Sequence, residues 1–505
     1  MRASNEKIII IDFGSSLNKV MTRKIRELNV YSELVSPTIT AEEVKNMRPN
    51  GIIFGASPDS VYTNRSPKPD PKIFDLNVPM LGVCYGLQVI TQFYGGMVDD
   101  TKQNEFGIVE IEVDSRSKLF NGLPAYNTVH MSHGDRVKKA PAGFSVLAHS
   151  PGCPIAAISS EKEHIYGIQF HPEMEATKNG DDLLRNFLYD ICQCTGQWTM
   201  KNFMDESVAE ILETIRKEEV ILPVNGDVKS IVLAALLHKA IADQLVVLFI
   251  DNGLLRKNEP EETTNVLAER FDMNIITLDE KDSFFENLKE VEINEEKELA
   301  VQNQLINIVQ REVSQMKTIK WYASSILYSD KDEKNNPFHQ SSMLGLSMLK
   351  PLQSLHRQEV EELGRILRVP DNILDKQSLS FTGLAGKIKG KVNEERIQVL
   401  RESEAILKFE VFQAGLENQL EQFYTVLLHP EWDFKGEKWS YPILVKMIEK
   451  INSTRMMRAK IPDGVLDRIA RRISNEVPKV SNVYYDITVD PAIDTQKAVS
   501  ESPNL

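Results

Sequence analysis

The sequence predicts an α/β chain of parallel-sheet modules closed by a smaller α+β module, on three observations. Short apolar runs recur at strand length, helical periods lie between them, and the texture changes twice along the chain. From Lys7 to about Cys194 the runs KIIIID, GIIFG, VPMLGV, IVEIEV, IAAIS and IYGIQF read as strands, and residues 180–194, GDDLLRNFLYDICQC, read as a closing helix. A polar stretch with Gln197, Trp198 and Thr199 marks a boundary near residue 200. Beyond a helical period at 208–217, the strand EVILPV, the helix SIVLAALLHKAIA and the strand LVVLFIDNG open a second β-α-β unit. Helical stretches at 295–317 and 358–367 continue it, the latter stopped by Pro370. After about Asn393 come a long charged helix, a weakly patterned middle, the helix VLDRIARRISNEV and the strand VSNVYYDIT, the texture of an α+β module. The predicted domains are 1–200, 201–392 and 393–505.

Composition narrows the function. The 505 residues carry 59 Lys+Arg against 73 Asp+Glu, a net charge of −14, so the chain as a whole offers no field for duplex nucleic acid, and a small-molecule substrate fits better. At 42% hydrophobic and 26% charged, the chain has enough apolar residues for large cores. Its four cysteines are too few for a disulfide framework, and Cys192-Gln193-Cys194 has one spacer where zinc and redox motifs usually have two, so a reduced cytoplasmic protein with no metal centre is predicted. The opening MRASNEKIIIIDFGSS is too short in its apolar run for a signal or a span, and no later window reaches eighteen apolar residues.

The sharpest chemical signal is Gly82-Val83-Cys84-Tyr85-Gly86, between the strand VPMLGV and the helical LQVITQFYGG. Small residues flanking a nucleophile permit the tight strand-to-helix turn that lifts its side chain above a sheet edge and aims backbone N–H groups at a developing oxyanion. A thiol nucleophile needs a base, and the base an orienting acceptor. His171-Pro172-Glu173 follows the strand IYGIQF, and in extended backbone His171 and Glu173 share a face. Cys84, His171 and Glu173 are thus the predicted catalytic residues.

With these residues in place, the chain resembles the class I glutamine amidotransferases, in the branch joined to GMP synthase. The likeness runs through Asp12-Phe13-Gly14-Ser15, Arg26-Glu27-Leu28, GVCYGLQVI, Glu105-Phe106-Gly107, Met131-Ser132-His133-Gly134-Asp135, FHPE and NFLYDIC. It implies a glutamyl thioester on Cys84 and glutamine held by Gln88, Ser57, Ser132, His133 and Gly134. Where the family carries Gly-Gly-Pro near the oxyanion hole, this chain has Gly55-Ala56-Ser57-Pro58. If that loop needs positive φ, Ala and Ser strain it by about 1 kcal/mol or more.

The same resemblance implies that the second module is an ATP-pyrophosphatase, an adenine-nucleotide α-hydrolase-like domain, using Mg-ATP to adenylate XMP before ammonia displaces AMP. The family's Ser-Gly-Gly-x-Asp-Ser loop cradles pyrophosphate with backbone N–H groups. At that place stand Asn225, Gly226, Asp227, Val228, Lys229 and Ser230: a lysine occupies the carboxylate position and an acid a glycine position. A lysine attracts phosphate but cannot ligate magnesium. Asp251-Asn252-Gly253-Leu254-Leu255-Arg256, Lys350-Pro351-Leu352 and the helix around Glu359 to Arg365 keep the family's form, whereas Ser324-Ser325-Ile326 and the segment 380–387 replace its nucleotide contacts. The C-terminal module resembles the family's dimerisation domain, implying a homodimer, with Val465, Ile469 and Ile473 as an apolar stripe for a two-fold interface. Its closing segment 489–495 lacks the family's XMP-binding lysine.

Two expectations follow: an amidotransferase that makes GMP from XMP with glutamine-derived ammonia, or a homologue whose synthetase half no longer turns over, acting as a glutaminase or scaffold.

Overall fold

The computed structural model describes residues 6–63, 65–328, 345–377, 379, 382–432, 439–452 and 455–488, which form two compact units, Arg2–Asn202 and Phe203–Leu505. In the first unit, strands β1 (Lys7–Ile11), β2 (Tyr31–Val35), β3 (Gly51–Phe54) and β4 (Met80–Val83) alternate with helices α1 (Leu17–Glu27), α2 (Ala41–Met47) and α3 (Tyr85–Phe93). A meander of β5 (Met97–Val113), β6 (Tyr126–Lys139), β7 (Ser145–His149), β8 (Ala157–Ser160) and β9 (Ile165–Ile168) follows, then α4 (Gly180–Arg185). These strands join one sheet in the order β2-β1-β3-β4-β9-β8-β7-β5-β6. The β2-to-β9 half is parallel and the rest antiparallel.

Strands β1, β3 and β4 are apolar at nearly every position because helices cover both faces; Ile8 and Ile10 pack into one core layer, Ile9 and Ile11 into the other. Burying each such side chain contributes about 2 kcal/mol. The closing helix departs from expectation: it is α-helical only to Arg185 and then widens into a π-helix over Asn186–Ile191. The tight layer beneath it shows at Gly51, where an added Cβ would come within 2.5 Å of Cys192 Sγ.

Helix α5 (Met200–Ile215) carries the chain into the second unit, which holds a parallel sheet ordered β12-β11-β10-β13-β14, built from β10 (Glu219–Val224), β11 (Leu245–Asp251), β12 (Ile275–Asp279), β13 (Ile319–Ala323) and β14 (Ser347–Leu349). Helices α6 (Val228–Ile241), α7 (Glu259–Asn265), α8 (Lys281–Leu288), α9 (Asn294–Gln315), α10 (Arg357–Ile366) and α11 (Asp371–Leu374) accompany it. Helix α12 (Glu394–Gln413) leads to a second sheet of β15 (Leu420–Leu427), β16 (Glu431–Trp432), β17 (Trp439–Asn452), β18 (Arg455–Arg458) and β19 (Val480–Tyr485), with α13 (Asp463–Glu476) against it.

Both sheets of this unit share one core, which runs from Ile221 and Leu248 to Ile443 and Met447. The stripe Val465, Ile469 and Ile473 belongs to that core, buried within its own chain. It is therefore not available for a two-fold interface, because α13 spends its apolar face on its own sheet and on α12, to which Arg468 and Arg472 also bind through Glu410. No helix among the described residues is long and apolar enough to cross a membrane.

Candidate active site

The register of two parallel strands assembles the first site. Strand β4 pairs with β9 so that Gly82 lies beside Gly167 and Val83 beside Ile168. The next residue of one strand is Cys84, whose N–H donates to Ile168 O at 2.8 Å, and the next of the other are Gln169 and, two further on, His171. Side chains at the carboxyl ends of neighbouring parallel strands converge in this way in open α/β sheets.

Cys84 is the N-cap of α3, at φ 54° and ψ −104°, a backbone conformation costly for a residue with a Cβ. The turn closes because its neighbours have none: a Cβ on Gly86 would run into the Phe54 carbonyl, and one on Gly82 would lie 2.6 Å from the backbone of Gly86. No side chain caps the helix, so the first N–H groups of α3 remain beside the thiol.

Around Cys84 the partners are close. Its thiol donates to Ser132 O at 3.5 Å, and Gln169 Nε2 donates to its sulfur at 3.6 Å. His171 Nδ1 lies 2.8 Å from Glu173 Oε1, and both side chains are buried. Burial opposes charge on the imidazole, but the Glu173 carboxylate and the hydrogen bonds with Cys84 and Glu173 outweigh it and raise His171 to about 10. Glu173 Oε2 has no hydrogen-bond partner among the described residues, which leaves its charge directed at the imidazole. Thr177 fixes the turn: its hydroxyl donates to His171 O at 2.6 Å and accepts from His130 N at 3.0 Å.

Of the residues expected to hold substrate, buried Gln88 donates to Asp135 O at 2.8 Å. Ser57 receives the Asp59 N–H at 3.1 Å. Ser132 and Gly134 occupy one face of β6 and His133 the other, since burial alternates along that strand. The His133 side chain thus turns toward Glu105 rather than sharing a face with Ser132. The expected strain at 55–58 is absent: neither Gly55, Ala56 nor Ser57 has positive φ, and Asn18 fixes the loop by accepting Ala56 N–H at 2.8 Å and donating to Ala56 O at 3.0 Å. Sequence reasoning missed Gln169, which is fully buried; its signal was a polar residue inside the apolar run IYGIQF, two positions before His171.

The second unit repeats the strand-turn-helix form. Strand β10 enters the turn Asn225, Gly226 and Asp227, and α6 begins at Val228. Here Asp227 is a relaxed N-cap whose carboxylate accepts Ser230 N–H at 2.7 Å. Asn225 Oδ1 accepts from Asp227 N at 3.4 Å and from the Ser230 hydroxyl at 3.2 Å. Two N–H groups of the loop, those of Asp227 and Ser230, are therefore engaged by its own side chains, with a carboxylate at the helix end, so in this arrangement neither is presented to the phosphates of Mg-ATP. Lys229 lines a neighbouring cavity with Asp227, Ile250, Tyr322, Ser324 and Ser325. Arg256, in the turn after β11, is held by Glu404 at 2.8 Å and Gln377 O at 2.8 Å. Ser380, Phe381 and the segment 489–495 lie outside the described residues.

Residues 9–191 match the family described as glutamine amidotransferase class-I, and residues 409–495 match GMP synthase C terminal domain. Similar relatives include proteins named GMP synthase [glutamine-hydrolyzing] from Oceanobacillus iheyensis, 42% identical over 97% of this chain and 98% of the relative, from Geobacillus kaustophilus, 41% over 97% and 98%, and from Bacillus subtilis, 40% over 96% and 98%. Among solved structures, a glutamine amidotransferase from Thermotoga maritima aligns over 38% of this chain and 100% of that one, at 18% identity and a TM-score of 0.32.

Proposed function

This chain belongs to the glutamine-hydrolysing GMP synthase family, a family of amidotransferase enzymes, and from that membership we propose that Cys84, His171 and Glu173 hydrolyse glutamine in its first unit. His171 takes the thiol proton; the thiolate attacks the glutamine side-chain carbonyl; the imidazolium returns the proton to the departing nitrogen, releasing ammonia and leaving a thioester. Water, deprotonated by the same imidazole, then cleaves the thioester to glutamate and regenerates the thiol. The first N–H groups of α3 bear the oxyanion, and Glu173 holds the ring and its charge. Gln88, Ser57, Ser132 and Gly134 line the glutamine side of this reading. The observation that carries it is the β4–β9 register, which joins an uncapped, strained cysteine to a carboxylate-bound histidine.

In the same reading the ammonia aminates XMP to GMP in the second unit with Mg-ATP, as the names of the relatives suggest. We derive no step through ATP, because the Asp227 cap occupies the loop. That cap, with Lys229, favours a second reading in which glutamine hydrolysis persists and the nucleotide half does not turn over. Incubation with XMP, Mg-ATP and either glutamine or ammonium separates the two. GMP in either reaction removes the second reading; glutamate without GMP removes amination of XMP.

The modules 1–200, 201–392 and 393–505, a cytosolic setting supported by four unpaired, buried cysteines, and a homodimer through the C-terminal module complete the proposal. Light scattering on the purified chain tests the dimer.

A further inference from the structure

Three side chains outside the proposed triad meet in the first unit. Glu105 and His133 are directly opposed across the β5–β6 ladder, so their side chains share a face, and Cys153 reaches them from the turn between β7 and β8. One ligand-type atom from each lies within 4.8 Å of the others. His133 is 4% exposed, yet neither ring nitrogen has a hydrogen-bond partner among the described residues; its Nε2 stands 3.6 Å from Glu105 Oε2, beyond hydrogen-bond range. Leaving such a group unsatisfied costs about 1–3 kcal/mol. The Cys153 thiol makes only a weak contact to Ile155 O at 3.3 Å.

We propose that Glu105, His133 and Cys153 form a binding site for a borderline-soft divalent cation of the zinc type. Tetrahedral zinc, with bonds of about 2.1 Å to nitrogen and oxygen, sets such donors roughly 3.4 Å apart, close to the 3.6 Å between His133 Nε2 and Glu105 Oε2. The sulfur and imidazole donors select against magnesium and calcium, which take oxygen.

The surroundings hold the three donors in place. The Ser150 hydroxyl donates to both Glu105 oxygens, at 2.9 and 3.1 Å, and is itself fixed by the Cys153 N–H at 2.8 Å. Gly152 leaves room for the carboxylate, since a Cβ there would lie 2.6 Å from Glu105 Oε1. Arg136 binds the Gly152 carbonyl and steadies the same turn. The Cys153 thiol lies fully buried beside the other two donors. A dication displaces that thiol proton to solvent, one per ion, and the carboxylate and thiolate together balance its charge. The strand it would brace is the one whose Ser132 carbonyl receives the Cys84 thiol.

Cobalt(II) is the probe. Added in equal amount to the metal-stripped full chain, it should give a thiolate-to-cobalt band in the near ultraviolet, visible bands of tetrahedral intensity and one released proton. Cys153→Ser should abolish all three, while Cys84→Ala and the double variant Cys192→Ala/Cys194→Ala keep them. Gly152→Ala, which spares every ligand, should weaken cobalt at least about tenfold by moving Glu105. A band that survives Cys153→Ser, a band lost with Cys84→Ala, or no band in the intact protein overturns the proposal.

Discussion

The two units each present a strand, a tight turn and a helix, and the contrast between them is sharpest at the helix N-cap. In the first, Cys84 takes the helix N-cap position without capping, in a strained conformation, with its side chain among Gln169, Ser132 and His171. In the second, Asp227 takes the same position in relaxed extended backbone and caps the helix through Ser230. An uncapped end stores strain and leaves donors for a substrate; a capped end gains about 1 kcal/mol and closes them. The difference teaches that the strand-turn-helix form alone does not mark a site.

Removing the nucleophile should break the comparison most completely. Cys84→Ala should lower glutamate release by roughly 10⁴-fold or more, read by a coupled glutamate assay, with the fold intact by circular dichroism; release near the parent rate would dissociate the elbow from chemistry.

Next in size, Glu173→Gln keeps the ring contact but removes the charge, and should cost about 10³-fold in kcat. It should also flatten a pH effect on stability. Because His171 is raised when folded, its contribution is whole below about pH 6.5 and is lost as pH rises through about 10. The Glu173→Gln chain should lose stability less steeply over that window in urea titrations.

In the second unit, Glu404 is buried; burial raises its carboxyl, but Lys387 and Arg256 outweigh that and hold it below 4.5. Glu404→Gln should destabilise this unit by about 3 kcal/mol, since it leaves buried cations unpaired. The parent's advantage should be present above pH 4.5 and fade as pH falls below it, the opposite direction to His171. Equal stability of variant and parent at pH 7 would remove Glu404 from its role.

The smallest effect sharpens the contrast itself. Asp227→Gly should cost only about 0.3 kcal/mol of stability, because glycine is tolerated at an N-cap, while freeing Ser230 N–H. Calorimetry should then detect pyrophosphate binding stronger than in the parent; no gain would mean that other groups, Lys229 among them, close the loop.

Much of this was legible in the sequence. The apolar runs at Lys7, Gly51, Met80 and Ile165 are strands because they are buried on both faces, and Gly82-Val83-Cys84-Tyr85-Gly86 announced its turn through small residues. His171 and Glu173 do meet, but across a turn in which Met174 N–H donates to His171 O rather than along extended backbone, so period two was not what joins them. Strands β2, β6 and β7 and the long β15–β17 pair were not legible: they carry polar residues at alternating or mixed positions, and their partners are set by tertiary pairing. Glu105, His133 and Cys153 gave no sign of one another, since cross-strand register, not spacing, brings them together. The Asp227 cap was hidden as well, since an acid in a glycine position reads as lost phosphate approach before its bond to Ser230 is seen.

Strands β4 and β9 touch, yet β5 to β8 lie between them in the chain. Their pairing closes that long loop, at an entropic cost that other contacts must offset, and it is this pairing that sets the His171 segment beside the Cys84 turn. A chain in which β4 and β9 are apart holds its cysteine without the base the chemistry needs.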